Sequence, residues 1–220
     1  MPVPDVRVVV MAKYPEPGSV KTRLASTIGG AHAAGLQAAF VLDLAARLTD
    51  AGVSPTWAYW PPEAPFRTLV PGCAVMAQRG ADLGARMANA AADVIAGGAT
   101  GVVLLGADVP HVDLGAVRTA CRLLREGAEV VLGPTDDGGY YLLGVRWARP
   151  ELFASITWGA ATVYAETLAR CATIGVQPHV LAATFDVDGP SDLARLAALI
   201  ASGDADLPHT RAALARAGLS

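Results

Sequence analysis

Short runs of β-branched and apolar residues alternate along the chain with longer alanine-rich stretches whose apolar positions recur at helical spacing. The run VRVVVMA (6–12) predicts a first strand, and AHAAGLQAAFVLDLAARLTDAG (31–52) a helix ending near Gly52. SPTWAYW (54–60) reads as a second strand and CAVMAQ (73–78) as a third, weaker one. A helix starting near Asp82 precedes TGVVLLGADVP (100–110), whose unbroken apolar stretch marks a buried strand. The segment from Leu114 to about Glu126 predicts a helix, and AEVVLGP (128–134) and GYYLLGV (139–145) predict strands joined by the turn TDDGG. ATVYAETLARCATIG (161–175) is helical in pattern, QPHVLAATFDV (177–187) extended, and SDLARLAALIASG (191–203) helical, with a last short helix after Gly203. This alternation predicts one α/β domain over residues 1–220, with a mostly parallel central sheet and helices on both faces. No repeat, low-complexity linker or composition break divides it. Ligands of such sheets bind beyond the carboxyl ends of the strands, so the candidate chemistry is sought there.

Composition narrows the partners. Of 220 residues, 53% are hydrophobic and 17% charged, and the formal net charge is -3. Such a chain can bury a sizeable core and has no global attraction for nucleic acid or an acidic membrane surface, so neither is expected as a partner. No apolar stretch reaches the length of a membrane span, and MPVPDVR at the N-terminus lacks the basic start and apolar core of a signal peptide. Cys73, Cys121 and Cys171 are odd in number, far apart and without histidines nearby, which supports neither a disulfide framework nor a zinc site. A cytoplasmic setting is expected, and a homodimer is compatible with the sequence.

The stretch MAKYPEPGSVKTRLA (11–25) leaves the first strand through two prolines and a glycine and sets Lys13, Lys21 and Arg23 close together. Irregular backbone from Ala12 to Gly18 frees amide groups, and the three cations can bond phosphate oxygens. The spacing is not that of a Walker loop, and the same residues would serve in a solvated turn. In LLGADVPHV, Asp108 falls at the carboxyl end of the most apolar strand, where a carboxylate requires a cation such as Mg²⁺ or Mn²⁺, or a helix N-terminus to cap. In FDVDGPSDL, Asp186 and Asp188 alternate along an extended segment and so share a face; Asp192 suits the first turn of the next helix. Two carboxylates on one side repel unless a cation or donor lies between them.

Further candidates cluster in two turns. Asp137, Gly138 and Gly139 suit a hairpin, but at the ligand edge they would also admit an acceptor, with Tyr140 stacking on or bonding to it and Asp137 placed to take a proton. Trp158, before a helix, can form a wall for the same group. Arg79 and Gly80 in QRGADLGARM could meet a nucleotide, while Asp82 suits a helix start and His111 stands alone on a turn.

Taken in order, MAKYPEPGSVKTRLA, GADVP, GPTDDGGYYLLG, ITWG and DVDGPSDL make the chain resemble the rSAM/selenodomain-associated transferase 1 family over Met11 to Leu193. It is more distantly similar to 2-phospho-L-lactate guanylyltransferase and the molybdenum-cofactor guanylyltransferases. The resemblance implies a Rossmann-like GT-A fold, a phosphate-binding loop at Lys13, Lys21 and Arg23, and metal ligands at Asp108 and Asp188, with Asp186 beside them. Gly189 and Ala160 stand where the family pattern commonly has threonine, so two hydroxyls that would position the ligand are missing.

Two reactions fit. In the first, a nucleoside triphosphate gives its nucleotidyl group to a small phosphorylated or acidic acceptor, with Lys21 and Asp108 at the reacting phosphate and pyrophosphate released. In the second, a nucleoside-diphosphate sugar is the donor and Asp137 deprotonates an acceptor hydroxyl. Three cations in one loop exceed what a diphosphate needs, which puts nucleotidyl transfer ahead. A nucleotide-binding module without turnover is the alternative of another class.

Overall fold

The computed structural model describes residues 5–219; Met1–Pro4, part of the stretch read for a signal sequence, lie outside the described residues. Seven strands form one sheet: β1 (Val6–Lys13), β2 (Thr56–Trp60), β3 (Ala74–Ala77), β4 (Gly101–Gly106), β5 (Val130–Pro134), β6 (Tyr140–Val145) and β7 (His179–Val180). Their order is β3-β2-β1-β4-β6-β5-β7. Pairing is parallel except for β6, which runs antiparallel to both of its neighbours, β4 and β5. The β5–β6 hairpin turn therefore lies on the same edge as the carboxyl ends of β1 and β4. That placement brings three separate segments to one rim.

The central strands read as continuous apolar runs because both of their faces are covered. On one face Val8, Val10, Val103 and Leu105 pack against α2 (Gly30–Asp50) and α5 (Leu114–Arg125) through Leu44, Leu48, Val117 and Leu124. The alternate residues Val9, Val102 and Leu104 meet α4 (Leu83–Ala96) and α6 (Val163–Thr173) on the other, through Met87, Ala91 and Cys171. Each fully buried valine or leucine contributes about 1.5–3 kcal/mol relative to exposure. A third cluster joins α1 (Thr22–Ile28) and α2 to α7 (Pro190–Ser202) and α8 (Pro208–Arg216) around Leu24, Phe40, Leu196 and Leu214. A four-residue helix, α3 (Phe66–Leu69), follows β2.

Local signals set the boundaries. Asp82 caps α4 by accepting from Ala85 N at 2.8 Å, and Asp113 caps α5 by accepting from Gly115 N at 2.7 Å. Asp108 is thereby relieved of a capping role. The opening loop holds a helix that periodicity does not announce: α1 is seven residues long, and of these only Leu24 is buried. The strand 100–110 is shorter than its apolar run, ending at Gly106, so Asp108 stands in the turn beyond it. Within 177–187, ladder pairing is confined to His179–Val180 and one parallel bridge between Thr135 and Thr184. Among the described residues no helix is long and apolar enough to cross a membrane.

Candidate active site

Lys21 organises the carboxyl edge of the sheet. Val20 and Leu24, at 4% and 0% exposure, anchor the loop on either side of it, and its own backbone adopts the left-handed region at φ 48° as the N-cap of α1. For a side chain with a Cβ that conformation costs roughly 1–2 kcal/mol. The turn drives the stem inward, with Nζ 5.8 Å from the Phe40 ring centroid and the side chain 3% exposed. There Nζ donates to Asp108 Oδ1 and, at 2.8 Å, to Asp188 Oδ1.

Both carboxylates stay partly open, 47% for Asp108 and 43% for Asp188. The Asp108 Oδ2 atom makes no hydrogen bond among the described residues, and the Asp188 carboxyl is met by the Asp186 side chain as well as by Lys21. Asp188 is fixed from behind, since Asp192 Oδ2 accepts from Gly189 N at 2.7 Å and from Asp188 N at 3.2 Å. Asp192 thus has the capping role expected of it. Burial works against the Lys21 ammonium, but the charges and hydrogen bonds of Asp108 and Asp188 outweigh it and raise its pKa. Burial also works against ionised Asp188, and the charge and hydrogen bond of Lys21 overcome it and hold the carboxyl below its usual range. Asp186 has no such partner: burial, then the charges of Asp188, Asp137 and Asp108, push it up to about 7.

Two cavities meet at this bridge, sharing Arg23, Asp108 and Asp188. The smaller, about 330 Å³, is lined by Lys13, Ser19, Lys21 and Arg23 with the buried Gln37. The larger, about 470 Å³, adds Asp137, Asp186 and Gly139 and an apolar wall that includes Met87, Tyr140 and Trp158. Lys13 Nζ donates to Ser19 O, which closes the loop on itself; the Arg23 guanidinium makes no ion pair or hydrogen bond among the described residues, while its carbonyl accepts from Ser26 Oγ at 2.7 Å.

The donor set fits a hard divalent cation, because two partly open carboxylates leave positions for water and phosphate. The three aspartates do not close into a ready cage, however. Among the described residues no group of three His, Cys, Asp or Glu side chains is assembled for a metal, and the Lys21 ammonium lies between Asp108 and Asp188.

Other expected residues lie elsewhere or act differently. Arg79 is paired with Asp93 at 2.6 Å on an exposed part of α4, and neither cavity includes it. Gly80 is needed for packing, since a Cβ there would come 2.7 Å from Arg86 N. Ala12 is 3% exposed, and its carbonyl accepts from the buried Gln78 amide at 3.2 Å, so its role is in the core. Gly18 is exposed in the loop with φ 83° and lines neither cavity. Gly138 also answers to packing: with φ 88°, a Cβ would stand 2.0 Å from the Ala161 carbonyl oxygen. Gly139 reaches the larger cavity, and its N–H donates to Asp137 Oδ1 at 3.0 Å. The Tyr140 ring lines that cavity; its hydroxyl lies 4.0 Å from Met87 Sδ, another lining residue, where burial raises its pKa. Trp158 packs over Gly84 at the start of α4, where a Cβ would come 2.3 Å from Nε1.

Gln37 and Gln78 were missed by sequence reasoning, though a lone glutamine in the apolar run AHAAGLQAAF is itself a signal of a polar task. Gln37 Oε1 is buried without a hydrogen-bond partner among the described residues. His111 sits behind the site on Phe185, ring centroids 4.2 Å apart, and the Arg195 guanidinium covers Phe185 at 3.9 Å.

Comparison with known proteins gives the same architecture. A protein of Desulfovibrio desulfuricans G20, provisionally named a nucleotide-diphospho-sugar transferase, superposes with a TM-score of 0.81 at 35% identity over 87% of this chain and 85% of that one. At 14% identity, CMP:2-keto-3-deoxy-manno-octonic acid synthetase complexed with CTP matches with a TM-score of 0.59 over 90% of this chain and 99% of its own. Rv0371c from Mycobacterium tuberculosis H37Rv, complexed with manganese, matches at 19% identity with a TM-score of 0.50, over 89% of this chain and 98% of that one. The last two share the fold; the α/β architecture is that of the nucleotide-diphospho-sugar transferases. No curated protein matches the chain. A family model matches residues 35–160, more than half of the chain, and together with the Desulfovibrio relative it shows that the chain belongs to the family described as "Uncharacterized protein conserved in bacteria (DUF2064)".

Proposed function

We propose that the protein is a nucleotide-dependent transferase that moves a nucleotidyl group from a nucleoside triphosphate to a small-molecule acceptor and releases pyrophosphate. The observation that carries this reading is the Lys21 bridge to Asp108 and Asp188, set where a basic cavity adjoins a larger mixed one. A buried ammonium held by two fixed carboxylates is organised before a ligand arrives, so phosphate charge is met without rearranging solvent. Lys13 and Arg23 complete a basic surface for the outer phosphates. Asp108 and Asp188 would hold Mg²⁺ or Mn²⁺ through their partly open carboxylates, and such an ion supplies neutralisation of phosphate charge when bound. The acceptor oxygen bonds to the α-phosphorus while the bond from that phosphorus to the bridging oxygen breaks, and the electron pair leaves with pyrophosphate. A hydroxyl acceptor gives its proton to Asp137 or Asp186; an ionised acceptor has none to give.

The motif-level resemblance to the rSAM/selenodomain-associated transferases, the CTP complex of one structural neighbour and the manganese complex of another support this reading. One observation favours glycosyl transfer as a second: Lys13 and Lys21 already have partners within the protein, so the surplus of positive charge is smaller than the residue types suggest. A diphosphate would then suffice, with Asp137 as the base. Incubation with Mg²⁺, each nucleoside triphosphate and a panel of small acceptors should release pyrophosphate. Release of nucleoside diphosphate from sugar nucleotides in its place would establish the second reading, and nucleotide binding with turnover in neither assay would reduce the protein to a binding module.

A further inference from the structure

The two cavities divide charge unequally. The smaller one has three cations, Lys13, Lys21 and Arg23, against two carboxylates. The larger has four carboxylates, Asp108, Asp137, Asp186 and Asp188, and one cation, Arg23. Two of those carboxylates already face the Lys21 ammonium. Asp137 and Asp186 are left opposite the rest of the space, and Asp137 keeps one oxygen free, since Thr135 Oγ1 and Gly139 N both donate to Oδ1.

The remaining wall is apolar and includes Met87, Val163, the Trp158 ring and Leu83, which is 44% exposed despite its size. A large apolar side chain left open at a cavity mouth gains most when a ligand covers it. From this division we infer that the acceptor is an uncharged or cationic hydroxyl compound with an apolar portion, bound in the larger cavity, and that it is neither a phosphate ester nor a carboxylic acid. The inference rests on the transferase reading above and holds for either donor. Hydroxyl groups donate to carboxylate oxygens, so Asp137 and Asp186 reward a polyol or amino alcohol. A phosphate dianion beside Asp137 would meet like charge, a repulsive element that disfavours it there; the charges that could offset it, Arg23 and a cation on Asp108 and Asp188, are engaged by the donor's phosphates in the transferase reading. A volume of about 470 Å³ suits a sugar-sized polar group together with one aromatic or short alkyl group.

Phenyl β-D-glucoside and phenyl phosphate form a matched pair of probes. Each is titrated calorimetrically into protein saturated with Mg²⁺ and with the nucleotide that most raises its melting temperature. The glucoside should bind at least about tenfold more tightly than the phosphate. Asp137→Lys should narrow or reverse that preference, and Leu83→Ser, at an exposed position, should weaken the glucoside several-fold without lowering the melting temperature. Equal or tighter binding of phenyl phosphate, or no binding of the glucoside at millimolar concentration, overturns the acceptor class while leaving the transferase reading in place. If no nucleotide raises the melting temperature, the transferase reading fails, and the acceptor class falls with it.

Discussion

Lys21 Nζ lies 2.8 Å from Asp188 Oδ1, although 167 positions separate the two residues in sequence. The contact ties the loop after the first strand to the segment before α7, and with Asp108 it makes one charge cluster from three parts of the chain. Asp108→Asn or Asp188→Asn should cut metal-dependent turnover by at least about 100-fold, as expected when a group that stabilises transition-state charge is lost. Unfolding should stay cooperative and stability should fall by only about 1–2 kcal/mol, less than for a fully buried pair because both carboxylates are partly solvated. Steady-state kinetics and urea titration of the same variants separate the two effects; unchanged turnover would remove these aspartates from the chemistry.

Removal of the ammonium itself has two distinguishable components. Lys21→Ala and Lys21→Gly should both weaken nucleotide binding by at least about tenfold, the loss of one charge-assisted contact. They should differ in stability, with the glycine variant about 1 kcal/mol the more stable, because φ 48° strains alanine and leaves glycine at ease. Denaturant midpoints compared with titrated nucleotide affinities test both parts.

His111 gives the fold a dependence on pH. Burial, then the charges of Arg47 and Arg195, lower its pKa from 6.5 to about 4. The unfolded chain therefore takes up a proton at higher pH than the native one does. The contribution of the neutral ring is fully present above about pH 6.5 and is lost as the pH falls through about 4. Urea unfolding at a series of pH values should show the wild type losing more stability over that interval than His111→Leu. Parallel curves for the two proteins would contradict the assignment.

Two glycines with almost the same backbone angle should respond very differently to alanine. At Gly138, φ 88° is combined with a Cβ position 2.0 Å from the Ala161 carbonyl oxygen, whereas Gly159, at φ 87°, has open space. Gly159→Ala should cost about 1 kcal/mol of backbone strain alone. Gly138→Ala adds overpacking and should cost about 3 kcal/mol or more. Melting temperatures of both variants decide the point.

Much of this architecture was legible in periodicity. The runs 6–12 and 100–110 are apolar throughout because helices cover both of their faces, and Asp82 announces its helix through an ordinary cap. The charge types of the candidate site were legible as well, since Lys13, Lys21, Arg23, Asp108 and Asp188 line one cavity together. What could not be read is spatial. That β6 inserts between β4 and β5 depends on pairing between distant strands, and no local pattern encodes that choice. Arg79 looks like a free cation until α4 brings Asp93 against it, and Ala12 and Gly80 answer to close packing that residue type alone does not reveal. Helix α1 escaped because its burial comes from the neighbouring helices around Leu24, with too short a stripe of its own to be noticed.

The reversed strand β6 has an effect on how specificity can diversify. Because it turns back between two strands that run the other way, the tip carrying Asp137 and Gly139 stands over the cavity edge, tied down by Tyr164 N on Gly138 O at 2.8 Å and by the ion pair of Asp136 with Arg195 at 2.9 Å. Lengthening or recolouring that tip would remodel the chamber for the incoming partner while leaving Lys13, Lys21 and Arg23 untouched. One scaffold could thus keep its cation loop and vary the larger cavity by editing a handful of residues.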